Sequence, residues 1–166
     1  MLSRFWVMVL QALTGMMQRN SLDTSQKQSK SWQDDANSME TQVVSYAYFT
    51  TKELECPCCG KDQMDHVFMD KLVHFRTEMG FPFNINSAFR CESHNLEVGG
   101  AENSAHLKGR AVDINVRGEH ALILVEQARN YGFSGIGVKQ KGTSRFVHLD
   151  DLQGSQTQPR PWIWTY

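Results

Sequence analysis

Two short segments, 111–116 and 145–149, alternate apolar and polar side chains, and they restrict this chain more than any other feature. A strand turns successive side chains to opposite faces. Val112, Ile114 and Val116 therefore share one face of the first segment, and Ala111, Asp113 and Asn115 share the other. In the second, Val147 and Leu149 face a core, while Phe146, His148 and Asp150 face away from it. Ile85 to Phe89 and Ile136 to Val138 read as two further strands. Phe68, Leu72, Phe75 and Met79 recur at helical spacing from Asp65 to Met79, with Asp65 as the starting cap and Gly80 as the stop. His66 and His74 on this helix read as surface or capping residues. A second helix, Glu119 to Tyr131, carries Leu122, Val125 and Ala128 on one face and ends at Gly132. A helix, a strand, a loop, a strand, a helix and then a hairpin predict an α+β fold: a single small domain with an antiparallel sheet and flanking helices.

The chain has 166 residues, room for one hydrophobic core and not for two ordinary domains. Residues 1–17 contain an apolar run, Phe5 to Leu13, shorter than the ~20 residues that span a bilayer. This segment reads as a signal peptide or an interfacial helix making weak membrane contact through residues 5–17, although Thr14 to Asn20 offers no Ala-x-Ala cleavage pattern. Residues 18–42 are rich in Ser, Gln, Asp and Asn and read as a polar linker. The folded domain is expected over 43–166. A formal charge of -1 supplies no field for a polyanion, so nucleic acid is not the expected partner. A monomer is expected.

His106 and Asp113 flank a turn at Gly109 that leads into the first alternating segment. Asp113 lies on the strand's polar face, small Ala111 leaves space beside it, and the turn lets the His106 ring approach the same point. His148 offers a third donor from the second segment. Two imidazoles and one carboxylate, with a fourth position left to water, are the ligand set of catalytic rather than structural zinc. The four cysteines, Cys56, Cys58, Cys59 and Cys91, admit three readings: a second zinc, disulfides in an exported protein, or unpaired thiols beside a tight Pro-Gly turn. Cys56 and Cys59 form one Cys-x-x-Cys pair, where a structural zinc usually takes two.

Ser87-Ala88-Phe89-Arg90, Asn95, Gly99-Gly100-Ala101, Ser104 to Asp113 and Phe146 to Asp150 together resemble peptidase family M15. The similarity is greatest to the small D-Ala-D-Ala carboxypeptidase-like domains of bacteria and their phages. It extends over about residues 45–166, including the closing Arg160 to Tyr166. The resemblance implies a zinc fold shared with hedgehog and lysostaphin-type domains, and hydrolysis of D-Ala-D-Ala or neighbouring bonds in peptidoglycan stem or cross-link peptides. It further implies zinc on His106, Asp113 and His148, and a substrate-binding, carbonyl-polarising arginine at Arg90. A serine that supports the ligand loop or touches substrate falls at Ser104, where it could equally complete a turn. A periplasmic or extracellular location is expected, reached by export or by release at lysis.

The general base departs from the family pattern. Many members carry an acid three residues before the last zinc histidine, or a histidine two before it, and Arg145 and Phe146 stand there. Asp150, on the same strand face as His148, is the nearest carboxylate. It is the first candidate for the catalytic base, ahead of Asp151 and Glu102, and it could alternatively orient a ligand from behind. The departure also leaves open a non-catalytic zinc module that binds cell wall, or a phage structural component.

Overall fold

A computed structural model describes residues 46–166. The expected signal peptide or interfacial helix at 1–17, the linker at 18–42 and the first residues of the 43–166 domain lie outside the described residues. Along the described chain run helix α1 (Thr51–Leu54), helix α2 (His66–Met79), strand β1 (Ile85–Ser87), helix α3 (Glu92–Glu97), a 3-10 turn at Ala105–Lys108, strand β2 (Ala111–Ile114) and helix α4 (Glu119–Gln127). A second 3-10 turn at Ala128–Tyr131 follows, then β3 (Gly135–Lys139), β4 (Phe146–Asp150) and β5 (Trp162–Thr165). Among the described residues no helix is long and apolar enough to cross a membrane.

The long helix begins where expected, because the Asp65 side chain accepts the Phe68 amide at 2.9 Å, and it closes on Gly80 in the left-handed conformation. Its stripe of Phe68, Met69, Leu72 and Phe75 is buried. That stripe meets Val112, Ile114, Val147 and Leu149 from the sheet and Leu124 and Ala128 from the second helical segment, giving one core. Each such aliphatic or aromatic side chain contributes about 1.5–3 kcal/mol on burial. His66 and His74 are exposed, as expected.

The five strands stand in the order β1-β2-β4-β3-β5. The pairs β1/β2, β2/β4 and β3/β4 are antiparallel, but β5 runs parallel to β3, so the sheet is not antiparallel throughout. The sequence assigns no strand to 162–165, because Trp162, Ile163 and Thr165 stay exposed on an edge and show no burial alternation. Strand β1 stops two residues short of Phe89. Its backbone there bonds elsewhere: the Phe89 amide donates to Leu54 O and the Arg90 amide to His106 O, each at 3.2 Å. Those two bonds turn Arg90 out of the sheet and towards its polar face.

Candidate metal centre and cleft

In the β2/β4 ladder Asp113 lies opposite His148 and Ala111 opposite Asp150. In the β3/β4 ladder Gly137 lies opposite His148 and Gly135 opposite Asp150. Six polar or minimal positions therefore share the face away from the core, four of them as the alternation of 111–116 and 146–150 requires. The glycines on β3 are a steric necessity. A Cβ at Gly135 would overlap the Asp150 carboxylate and the Arg160 guanidinium, and one at Gly137 would come within 2.8 Å of the Trp164 and Tyr166 rings. Their absence of side chains lets the β5 aromatics lie over the face, with the Trp164 ring 5.1 Å from that of His148.

His106 reaches the same place from the 3-10 turn. The Ser104 side chain accepts the His106 amide at 3.3 Å, which starts that turn, and Gly109 ends it in the left-handed conformation. His106, Asp113 and His148 are all buried, at 2%, 6% and 4% exposure, although each bears a polar group that would otherwise seek water. Their facing atoms converge. His148 Nδ1 stands 2.8 Å from Asp113 Oδ1 and 3.2 Å from His106 Nε2, and His106 Nε2 stands 3.3 Å from Asp113 Oδ1. Nitrogen and oxygen ligands ~2.0–2.1 Å from a tetrahedral zinc are about 3.3 Å apart, so the three atoms fit the edges of one zinc polyhedron.

The opposite side of each ring is also occupied. His106 Nδ1 donates to the Ala88 carbonyl at 2.6 Å, which leaves Nε2 with its lone pair towards the centre. His148 Nε2 donates to Asp150 Oδ2 at 3.3 Å, which likewise aims Nδ1 at the centre. A carbonyl or carboxylate behind each histidine is the support that metal-ligating imidazoles take. Asp150 itself is fully buried and is gripped by Arg160, whose Nε and Nη2 donate to its two oxygens at 2.9 and 2.6 Å.

The electrostatics of these side chains divide them. Burial pushes His106 below its ordinary pKa, and Asp113 offsets this only in part. Burial acts on His148 in the same direction, yet hydrogen bonds to Asp113 and Asp150 outweigh it and raise His148. Burial would raise Asp113, but the two histidines hold it far below the usual carboxylate range. For Asp150, burial is overcome by His148 and Arg160, which bring it to about 2. A neutral His106 beside an ionised Asp113 leaves lone pairs pointing inward, and a divalent cation would take the place of the extra proton on His148.

Arg90, the sequence candidate for substrate contact, donates from Nη2 to Asp113 Oδ2 at 2.6 Å and from Nε to Ser87 Oγ at 2.7 Å. It lines the cleft together with Ser104, His148, Phe146, Trp164 and Tyr166. The cleft has a volume of about 600 Å³. Asp151, the second base candidate, points elsewhere: its carboxylate is taken by Lys71 and Arg110. Glu102 is exposed and does not line the cleft. Sequence reasoning did not single out Arg160, Trp164 or Tyr166. Beyond the resemblance that takes in Arg160 to Tyr166, the paired glycines at 135 and 137 signal them in the sequence, since a strand with every second side chain missing must be covered by something large.

A family model described as Peptidase M15 matches residues 47–150, which hold His106, Asp113, His148 and Arg90. The zinc D-Ala-D-Ala carboxypeptidase of Streptomyces albus G is 41% identical over 85 residues, covering 50% of this chain. The chain spans about a third of that relative's length, 33%.

Proposed function

The chain belongs to the peptidase M15 family, and from that premise we propose that it is a zinc peptidase that hydrolyses peptide bonds in peptidoglycan stem or cross-link peptides. The observation that carries the reading is the convergence of His106 Nε2, Asp113 Oδ1 and His148 Nδ1 on one point beside the cleft that Asp113 and His148 line. The relative named above acts, by its name, on D-Ala-D-Ala with zinc, and a stem peptide ending in those residues is the first substrate to try.

His106, Asp113 and His148 would hold the ion. Zinc there supplies Lewis acidity towards a peptide carbonyl and towards water. The residues around it do the rest. Ala88 O and Asp150 keep the two imidazole rings turned so that one nitrogen of each faces inward. Arg90 spends one N–H on Asp113 and one on Ser87. A guanidinium has five, so Arg90 keeps donors for a substrate carboxylate or for negative charge developing on a carbonyl oxygen. Ser104 starts the ligand turn through its bond to the His106 amide and borders the cleft, so support of His106 is its first task. Trp164, Phe146 and Tyr166 form an apolar wall that excludes bulk water from one side. Asp150 is committed to Arg160 and His148, which favours an orienting task over that of a proton acceptor.

The same observation supports a second reading. Asp113 and Asp150 are the cleft's carboxylates among the described residues, and both are engaged, so a module that keeps zinc and binds wall without turnover fits the geometry too. Incubation with purified peptidoglycan and with a muropeptide carrying its full stem separates the two, read by mass spectrometry of the products. Loss of one D-Ala indicates a carboxypeptidase, and cleavage within a cross-link indicates an endopeptidase. Wall binding without any released product, unchanged in His106→Ala, overturns the peptidase reading.

A further inference from the structure

The cysteines lie outside the cleft and take no part in the chemistry above. Three of them come from Cys56-Pro57-Cys58-Cys59-Gly60, between α1 and α2. This run closes on itself, with the Gly60 amide donating to Cys56 O at 2.8 Å and the Cys56 amide to Lys61 O at 2.9 Å. A turn so closed gathers its side chains on one side. The fourth thiol comes from Cys91, which stands at the N-terminal cap of α3 yet makes no side-chain capping bond. Its sulfur is directed instead at the loop, 3.2 Å from Cys58 Sγ and 3.7 Å from Cys56 Sγ. All four sulfurs lie within 4.8 Å of one another.

We propose that Cys56, Cys58, Cys59 and Cys91 form a second metal centre, a closed four-thiolate site for a structural zinc ion. Sulfurs bound ~2.3 Å from a tetrahedral zinc are about 3.8 Å apart, close to the spacing seen here. Cys56 and Cys59 also have the Cys-x-x-Cys spacing of one arm of such a site.

The surroundings suit bound thiolates. The Cys91 amide donates to Cys56 Sγ at 3.4 Å. Four sulfurs this close cannot all ionise unless a cation sits among them. Four soft donors with no position left open suit zinc as a structural ion and leave no site for a substrate.

The centre would brace the catalytic cleft from behind. Cys91 directly follows Arg90, whose guanidinium holds Asp113. Cys56 lies two residues beyond Leu54, whose carbonyl accepts the Phe89 amide. An ion joining residues 56–59 to residue 91 thus fixes the segment 88–91, which supplies Ala88 O to His106 and Arg90 to Asp113.

The test is metal analysis of the full chain, purified without added metal, combined with cobalt substitution. The wild type should carry roughly two zinc ions, one beyond what His106, Asp113 and His148 hold. The paired change Cys58→Ser and Cys59→Ser should lose one, and His106→Ala should lose the other. Cobalt added to the chelator-treated chain should give strong thiolate-to-cobalt absorption in the near ultraviolet. That band should survive His106→Ala and vanish with the serine pair, so its fate is independent of whether the cleft binds zinc. Should the serine variants fail to fold, the wild type still decides: its thiols should resist a thiol reagent until a chelator is added. The proposal is overturned if cobalt gives no thiolate band, or if the intact mass is short by two hydrogens for each of one or more disulfide bridges.

Discussion

Asp113 and His148 face each other across the β2/β4 ladder, and the carboxylate of one meets the ring of the other at 2.8 Å. The contact shapes how metal uptake should depend on pH. Without metal, His148 has a carboxylate at each nitrogen and its pKa lies above the ordinary ~6.5. The sign follows from that direction. Below the raised value the folded, metal-free protein carries a proton on the ring, and zinc must displace it; above that value it need not. Apparent zinc affinity should therefore rise about tenfold per pH unit up to the raised value and flatten beyond it. Calorimetry of zinc uptake in buffers of different ionisation heat should detect close to one proton released at pH 6. No release there would contradict the proton-for-metal exchange.

Asp150 separates its two candidate tasks through two readouts. Orienting His148 makes it a determinant of metal affinity, and Asp150→Ala should weaken zinc binding by about 10–100-fold, with Asp150→Asn recovering part of the loss. A proton acceptor would behave differently: Asp150→Asn would keep zinc affinity and lose turnover of the muropeptide. Competition against a chromophoric chelator, beside product release at saturating zinc, distinguishes them.

The three candidate metal ligands were legible because two of them sit in strands whose alternation is nearly complete, so the face of Asp113 and His148 follows from Val112, Ile114, Val147 and Leu149. Helix α2 was legible from its stripe and from the terminal Gly80; the second helical segment was legible in its extent to Gly132, but not in its face, because Ala121, Leu124 and Ala128 turn inward while Leu122, expected there, is 58% exposed. The support of the site was less so. Arg160 reaches Asp150 from a loop with no period, and β5 is an exposed edge whose only signature is the pair of glycines it covers. The cysteines were visible as a motif, but their meeting depends on Cys91, which is 35 residues from Cys56 and joined to it by no local pattern.

Gly109 should be the least replaceable residue of the ligand turn. Its φ is +63°, and a Cβ there would overlap the backbone at Gln63 and Met64, just ahead of α2. The Asp65 amide also donates to Gly109 O at 3.0 Å, so neither strand of backbone can retreat freely. Left-handed geometry alone costs a non-glycine residue about 1–2 kcal/mol, and the overlap adds to it. Gly109→Ala should destabilise by at least about 2 kcal/mol in urea unfolding. Gly142→Ala, at φ +75° with open space around it, should cost only the conformational part. Equal losses at the two positions would refute the steric argument.

Arg110 lies in the middle of the ligand motif, yet its side chain serves the fold. It donates from Nε and Nη2 to Asp151 at 2.9 and 2.8 Å and approaches Asp65, the cap of α2, at 3.1 Å. Asp151 is buried, and its remaining partner is Lys71. Arg110→Met leaves that carboxylate with half its support, an expected cost of about 2 kcal/mol, below the 3–5 typical when a buried charge loses every partner. Pairing it with Asp151→Leu removes the stranded charge and should restore much of the loss. Because Arg110 touches none of His106, Asp113 or His148, zinc content should be the same in wild type, Arg110→Met and the double variant. A drop in zinc content with the fold intact would instead place Arg110 in the metal centre.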